Sequence, residues 1–566
     1  MATEFDREAA AAQLAHGFLG DSAREALAPL KSAMADSIFP FLEAWWDQGD
    51  IQPSSGDRKK VMQQIRAPDH QARAVGYEWI DEFFERISSA IKFNRRNFIN
   101  IHPSPYLPAL AASFAVSAQN PNNIVPEVSE ATWQMERECV EWMAKHLTAM
   151  DPCRAWGNVV SCGTVGNMTA LLVARDYTYH KLARPRTDEV GARGVIGRKP
   201  GIVLTSAGAH YSLKKSLWFL GIGHENLIRV PVAWDEALER DSARDDRFLR
   251  GIRDGEWPDL IHDSRQHERA KGELERFYQG EQRPFELQPL NSEVFKHLYS
   301  CFQFDVPLLA FVVNAGTTFT GTLEQMDSTA IRRLRAEDVH IHVDAAWGGF
   351  ALVCPELRER VAALEKADSV VIDGHKLGFL AYPCAAVIFR DLDSRYQIEH
   401  DAPYLRHLAP TLEGSRPGSH VAGLWAALRG IGEDGYVRWI RQLLAVTRRV
   451  ASALESSGDF QVLHRVDLNA LAFAPIPHSG ESRERVNNMC AKLKESIKKH
   501  GFLINLVDSV SGIQVQNEPG ATKPNEKIVD LWALRLVITN PRVDPHDADV
   551  LVEALSSELK VVRAES

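Results

Sequence analysis

Asp344 and Lys376 are placed where a chain of this kind does chemistry. Asp344 ends the run His340-Ile341-His342-Val343-Asp344 and is followed by Ala345-Ala346-Trp347-Gly348-Gly349, while Lys376 follows Ser369 to Ile372 in Asp373-Gly374-His375-Lys376-Leu377-Gly378. Short apolar runs of this type read as buried strands, and a polar residue at the C-terminal end of such a strand lies where α/β sheets bind ligands. A lysine is rarely set at the mouth of a buried strand unless it is paired or reactive, and a lysine of lowered pKa is the nucleophile that joins a carbonyl carbon. For Asp344 three readings compete. The alternation His340, His342, Asp344 puts three potential ligands on one strand face, as a metal site would want. Alternatively, Asp344 is one buried carboxylate that needs a cation such as a protonated pyridine nitrogen, because an unpaired buried charge is too costly. In the third reading Asp344 caps a loop and the histidines pack.

A third motif precedes these two. Ser161-Cys162-Gly163-Thr164-Val165-Gly166-Asn167 follows a short apolar run and opens the helical pattern Met168 to Arg175. Free N–H groups and the positive end of a helix dipole at such a turn bind phosphate, with Gly163 and Gly166 permitting close approach and Thr164 adding a hydroxyl. Glycine-rich turns also arise for steric reasons alone. In combination, a phosphate cradle, a strand-end Asp and a strand-end His-Lys anchor the phosphate, ring nitrogen and aldehyde of a single cofactor.

These motifs require a scaffold of strands and helices in alternation. From Trp156 onward, apolar runs at Asn158–Ser161, Ile202–Leu204, Leu227–Val232, Leu308–Val313, His340–Val343, Ser369–Ile372 and Ala385–Phe389 alternate with amphipathic segments. This pattern predicts an α/β large domain with a mostly parallel sheet over residues 101–410. Residues 1–100 read as a helical arm or cap, with apolar spacing in Ile38–Trp46 and Tyr77–Ile91. The polar stretch 235–292 is too long for an ordinary connection and reads as an insertion. Residues 411–566 predict a small α+β domain, with helices at Val421–Leu428 and Gly435–Leu454 and strands at Phe460–Leu463, Ala470–Phe473 and Ala533–Thr539.

Composition sets outer limits. With 566 residues, 45% apolar and 25% charged, the chain can bury a large core in two or three domains. A net charge of -10 offers no basic field for nucleic acid. No run approaches the ~18 uninterrupted apolar residues of a membrane helix, and no secretory leader is visible, so a cytoplasmic protein with no membrane partner is expected. The seven cysteines include no Cys-x-x-Cys pair and read as small buried residues.

His342-Val343-Asp344-Ala345-Ala346-Trp347-Gly348-Gly349 and Asp373-Gly374-His375-Lys376 resemble the signatures of the group II pyridoxal-phosphate-dependent amino-acid decarboxylases. The resemblance runs from about Asn97 to the C-terminus: Asn120-Pro121-Asn122-Asn123 is similar to a segment of bacterial tyrosine decarboxylases, and Arg535-Leu536-Val537-Ile538-Thr539-Asn540-Pro541 to the family's C-terminal strand. It implies a type I fold and pyridoxal 5'-phosphate as cofactor, with Lys376 holding the aldehyde, Asp344 the ring nitrogen and Ala346 lying against the ring face. His210 is implied to stack over the ring, Thr318 to line the cofactor pocket, and His375, Gly163 and Thr164 to complete it. Ser415, in Gly414-Ser415-Arg416-Pro417-Gly418, resembles a serine that reaches the phosphate of a neighbouring subunit, which implies a homodimer with shared sites. His400 to His407 is similar to a mobile catalytic loop whose tyrosine, here Tyr404, protonates the α-carbon after carbon dioxide leaves. Tyr382 and His102 are implied near the substrate, and Tyr382 competes with Tyr404 as the acid. Val165 and Cys384-Ala385-Ala386 depart from the family pattern, which puts the fine shape of the pocket in doubt.

The expected reaction is decarboxylation of an L-amino acid, tyrosine or another aromatic one, to the amine and carbon dioxide. A glutamate- or aspartate-type acidic substrate is the alternative, followed by aminotransferase or lyase chemistry with the same anchors. A metal-dependent hydrolase on His340, His342 and Asp344, or a silent scaffold, would need no Lys376.

Overall fold

The computed structural model describes residues 34–35, 39–40, 80–87, 96–182, 201–230, 307–399, 410–510 and 531–565, except 207, 325 and 327. The expected insertion at 235–292, the Tyr404 loop and most of Ile38–Trp46 lie outside the described residues.

The seven expected apolar runs form one sheet. Its strands are β1 (Trp156–Val160), β2 (Ile202–Ser206), β3 (Leu227–Val230), β4 (Leu308–Asn314), β5 (His340–Asp344), β6 (Ser369–Asp373) and β7 (Ala385–Phe389), in the order β1-β7-β6-β5-β4-β2-β3. β2 to β6 pair in parallel, whereas β7 runs antiparallel to both β6 and β1. The reversal follows from chain length: residues 374–384 are too few for the crossover helix that a parallel partner requires. β5, β6 and β7 are buried throughout; β7 is apolar from end to end, whereas β5 and β6 carry the polar residues His340, His342, Asp344, Ser369 and Asp373 into the interior.

Helices cover the sheet and set its ends. α1 (Ile80–Ile87) belongs to an N-terminal unit, Met1–Asn97, which Gly501–Leu503 joins through a bridge between Asn97 and Leu503. The remaining described residues form a second unit with α2 (Leu107–Ser117), α3 (Pro126–Leu147), α4 (Gly163–Lys181), α5 (Ser212–Phe219) and α6 (Ser328–Ala336). α4 begins at Gly163, five residues before the expected start at Met168, with Cys162 as its N-cap. Its glycines serve packing rather than a loop: a Cβ on Gly166 would stand 2.8 Å from Val371 Cγ2 of β6. α7 (Gly418–Ser457) joins the two expected helices across a break at Gly432, whose φ of 66° suits glycine.

A second, antiparallel sheet has the order β10-β11-β9-β8, built from β8 (Phe460–Val462), β9 (Ala470–Pro475), β10 (Asn505–Val510) and β11 (Leu531–Val537). α8 (Arg483–Ser496) packs on it, and α9 (Pro545–Glu565) packs on α7 and α8. β10 escaped the sequence reading because Asn505, Asp508 and Ser509 break its apolar pattern. The cysteine expectation is corrected in part: Cys139, Cys354, Cys384 and Cys490 are buried, but Cys153 is exposed and Cys162 half-exposed at the start of α4. No helix among the described residues is long and apolar enough to cross a membrane.

Candidate active site

β5 and β6 are adjacent and parallel, with Asp344 paired to Val371, so Asp344 and Asp373, two residues farther along β6, lie at the same edge of the sheet. The first turn of α4 closes on both. A Cβ on Gly163 would lie 2.8 Å from Asp373 Oδ1 and 3.1 Å from Ala346 Cβ, so the three motifs meet at one place. Cys162 supplies no side-chain cap to α4, and a helix's first N–H groups have no intrahelical acceptor. The N–H groups of Gly163 and Thr164 are therefore donors without an intrahelical acceptor at the end of α4 nearest Asp373 and Ala346.

Asp344 is buried, and both its oxygens accept hydrogen bonds: Oδ1 from the Ala346 N–H at 3.1 Å and Oδ2 from Asn167 Nδ2 at 2.9 Å. Among the described residues it forms no ion pair. Lys376 Nζ lies 3.0 Å from Asp373 Oδ2, and His375 Nε2 lies 3.3 Å from the same oxygen. Burial alone would depress the Lys376 pKa, but Asp373, reinforced by Asp344, outweighs it and holds the amine above its ordinary value. This corrects the expectation of a lowered lysine. Asp373 is itself pushed up by burial, yet Lys376 and His375 bring it below the usual carboxylate range. Its Oδ1 is buried without a hydrogen-bond partner.

Aromatic groups stand next to the lysine. The rings of His375 and Tyr382 lie 3.9 Å apart at 30°, and His102 meets Tyr382 edge-on at 5.0 Å. His102 has its pKa lowered by burial and then by His375 and Lys376, which places it in the same field. On the α5 side, the Ser212 N–H donates to His210 Nδ1 at 3.2 Å, so neutral His210 carries its proton on Nε2. Burial lowers its pKa, with Lys376 acting in the same direction and Asp344 and Asp373 opposing.

Other expected residues are tied to partners outside the Lys376 cluster. Thr318 exposes its side chain; its carbonyl and that of Phe319 accept from Arg535, each at 2.8 Å, while Thr317 makes the buried hydroxyl contact with Thr320. Ser415 lies on an exposed turn, where its hydroxyl accepts from Asn122 Nδ2 at 3.0 Å. The Asn120–Asn123 segment is tied to that turn: Asn123 N–H donates to the Arg416 carbonyl at 2.7 Å, and buried Arg416 pairs with Glu136. The metal reading of His340, His342 and Asp344 is not supported: among the described residues no three His, Cys, Asp or Glu side chains are grouped to hold an ion, and His340 Nε2 and both nitrogens of His342 are engaged by Ser369 and Asn167. Asn167, Ser212, Ser369 and Asp373 were given no role by sequence reasoning. Only Asp373 had a visible signal, its place three residues before Lys376.

A family model described as the pyridoxal-dependent decarboxylase conserved domain matches residues 296–475, which include both strand-end motifs. Over those residues the chain is similar to that family. Aspartate 1-decarboxylase of Aliivibrio fischeri is 26% identical over 420 residues, covering 69% of this chain and 66% of that protein. A probable L-tyrosine/L-aspartate decarboxylase of Methanothermobacter thermautotrophicus is 34% identical over 173 residues, covering 29% of this chain and 47% of that one. This chain thus spans about two thirds or less of the length of either relative. In fold, the glutamate decarboxylase domain of a Vibrio parahaemolyticus diaminobutyrate-pyruvate transaminase and L-2,4-diaminobutyrate decarboxylase has a TM-score of 0.67 at 17% identity, covering 98% of this chain and 99% of that one.

The residues present at this junction fit pyridoxal phosphate. Asp344 is a buried carboxylate that forms no ion pair among the described residues, and a protonated ring nitrogen would supply one. Lys376 stands at the neighbouring strand end, and the uncapped start of α4 offers N–H donors to a phosphate. Ala346 presents only a methyl group, which leaves room for a flat ring.

Proposed function

We propose that this protein removes the α-carboxylate of an L-amino acid, tyrosine or another aromatic one, giving the amine and carbon dioxide. The observation that carries the reading is the junction of Asp344, Lys376 and the start of α4 at adjacent strand ends. Bound there, pyridoxal phosphate supplies an electron-accepting ring for the charge left on the α-carbon when the carboxylate departs. Lys376 holds the aldehyde, and Asp344 keeps a proton on the ring nitrogen. The N–H groups of Gly163 and Thr164 hold the phosphate, with the Thr164 hydroxyl and the Thr318 loop completing that side. Ala346 and His210, which carries its proton on Nε2, would line the pocket around the ring. His102, His375 and Tyr382 form an aromatic wall that orients the substrate and excludes water. Tyr404 then delivers a proton to the α-carbon; Tyr382 is its rival by position. Ser415 completes the phosphate site of a second subunit in a homodimer.

The three buried arginines among the described residues support an uncharged substrate side chain. Arg175 is bound to Asp176 and the Leu220 carbonyl, Arg416 to Glu136 and two carbonyls, and Arg535 to two carbonyls. An acidic substrate is the second reading, favoured by the relatives named for aspartate. The test is an absorbance spectrum of the purified protein, followed by amine and carbon dioxide detection across a panel of amino acids, with Lys376→Ala as control. A cofactor band and amine formation that both vanish in Lys376→Ala are expected, with aromatic substrates turned over fastest. A band without amine from any substrate would overturn the decarboxylase reading, and amine from aspartate or glutamate alone would select the acidic one.

A further inference from the structure

Behind Asp344 lies a buried chain of polar side chains that the reaction scheme does not use. Asn167 Nδ2 is 2.9 Å from Asp344 Oδ2 and 2.9 Å from Ser212 Oγ, and Asn167 Oδ1 is 2.9 Å from His342 Nε2. His342 Nδ1 and His340 Nε2 both lie 2.8 Å from Ser369 Oγ. All five residues are at most 7% exposed.

Proton counting leaves a single arrangement. Asp344 accepts at both oxygens, so Asn167 must turn its amide nitrogen toward Oδ2, and its Oδ1 is left as an acceptor. His342 therefore carries its proton on Nε2. Burial and the neighbouring His340 push the His342 pKa down to about 3, so the ring is neutral and its Nδ1 accepts from the Ser369 hydroxyl. That hydroxyl has one proton, now used, so His340 must donate to it through Nε2. Every donor along the chain, from His340 through Ser369, His342 and Asn167, points toward Asp344.

We propose that Asn167, His342, Ser369 and His340 are positioning residues that form a one-way hydrogen-bond relay, fixing the orientation of the Asp344 carboxylate toward the cofactor ring. The relay rests on the reading of Asp344 as the ring-nitrogen partner for its purpose, but its direction can be tested without cofactor. In Asp344→Asn, the Ala346 N–H still demands an oxygen, so the new amide turns its NH₂ group to Asn167. Asn167 must then reverse, His342 must accept at Nε2 and hold its proton on Nδ1, and Ser369 must donate to His340.

The experiment is nitrogen-15 NMR of histidine-labelled apoenzyme, with the His340 and His342 signals assigned by their loss in His340→Gln and His342→Gln. Nε2–H tautomers are expected for both rings in the wild type, and an Nδ1–H tautomer for His342 in Asp344→Asn. A His342 signal with the same tautomer in both proteins, each folded by circular dichroism, would overturn the relay. Ser369→Ala should weaken pyridoxal phosphate binding in equilibrium dialysis by roughly threefold to tenfold, the size of one hydrogen bond, with the apoenzyme still folded; unchanged affinity would deny the relay its purpose. If instead the tautomer reverses but Asp344→Asn binds the cofactor with unaltered affinity and spectrum, the relay stands and the ring-nitrogen reading of Asp344 falls.

Discussion

Lys376 and Asp373 make a pair in which the carboxylate decides when the amine can react. A lysine attacks a carbonyl only as the free amine, and burial would favour that form if Asp373 were not 3.0 Å away. Asp373 thus stores a proton on Lys376 until a ligand takes over the site. Replacing it with asparagine keeps the shape and removes the charge, so burial prevails and the lysine pKa falls. Attachment of added pyridoxal phosphate to apoenzyme, followed by absorbance, speeds up as pH rises through the lysine pKa. In Asp373→Asn that rise should move to lower pH, and an unmoved midpoint would show that Asp373 does not govern the amine. Part of this site was legible in the sequence, because Asp344, Lys376 and Gly163 sit at the ends of readable strands and at a readable turn. The sign of the lysine shift was not, since it depends on Asp373 Oδ2 facing inward at the turn between β6 and Lys376, which no spacing encodes.

At the level of elements, α4 and the strand ends beneath it set both the fit of the site and its pH response. A Cβ on Gly163 would meet Asp373 and Ala346, whereas the nearest atoms to one on Gly166 all belong to Val371. Gly166→Ala should therefore cost roughly 1–3 kcal/mol of stability through overpacking, seen as a lower denaturant midpoint. Gly163→Ala should weaken cofactor binding by more than its effect on stability would explain. A second element-level strain lies between β2 and β4, where Glu324 is fully buried, bonded to Ser206 and to the Asn314 N–H at 2.7 Å. Burial pushes its pKa up to about 7, against hydrogen bonds from Ser206 and Asn314 that lower it. The folded pKa lies above the unfolded one of 4.5, so the contribution to stability is complete below pH 4.5 and is lost as pH rises to about 7. The loss is on the order of 3 kcal/mol. Glu324→Gln should flatten the fall in melting temperature across that window, and an identical slope in the variant would assign the fall elsewhere. All seven strands of the main sheet were readable, because short runs rich in apolar residues alternate with the amphipathic segments between them. The true start of α4 was not, because glycines needed for close packing look the same in sequence as glycines needed for a turn. Glu324 gave no signal either, since its burial depends on β2 and β4 being neighbours.

The whole molecule presents surfaces that a single copy leaves open. On α2, Leu107, Leu110 and Phe114 are 72%, 43% and 47% exposed and follow a spacing that shares one helical face, while buried Ala109 and the close contact of Ser113 with Gly423 hold the opposite side against α7. Ser415 is exposed as well, with its hydroxyl bonded to Asn122. A homodimer, proposed above, would cover the α2 face and bring Ser415 to a second site. Two copies each carrying -10 repel, so association driven by apolar contact should tighten as moderate salt screens that repulsion. Phe114→Glu should shift sedimentation toward the monomer, and an unchanged mass would exclude α2 from the contact. Sharing of the site is tested by mixing two inactive proteins, Lys376→Ala and Ser415→Arg, after dissociation. In a mixed dimer, the Ser415→Arg chain supplies an intact lysine and the Lys376→Ala chain an intact serine. If the serine acts across the interface, each mixed dimer regains one complete site, and because half of randomly paired dimers are mixed, activity should return to about a quarter of the wild-type value. If Ser415 acts within its own chain, no site in any dimer holds both residues and the mixture stays inactive.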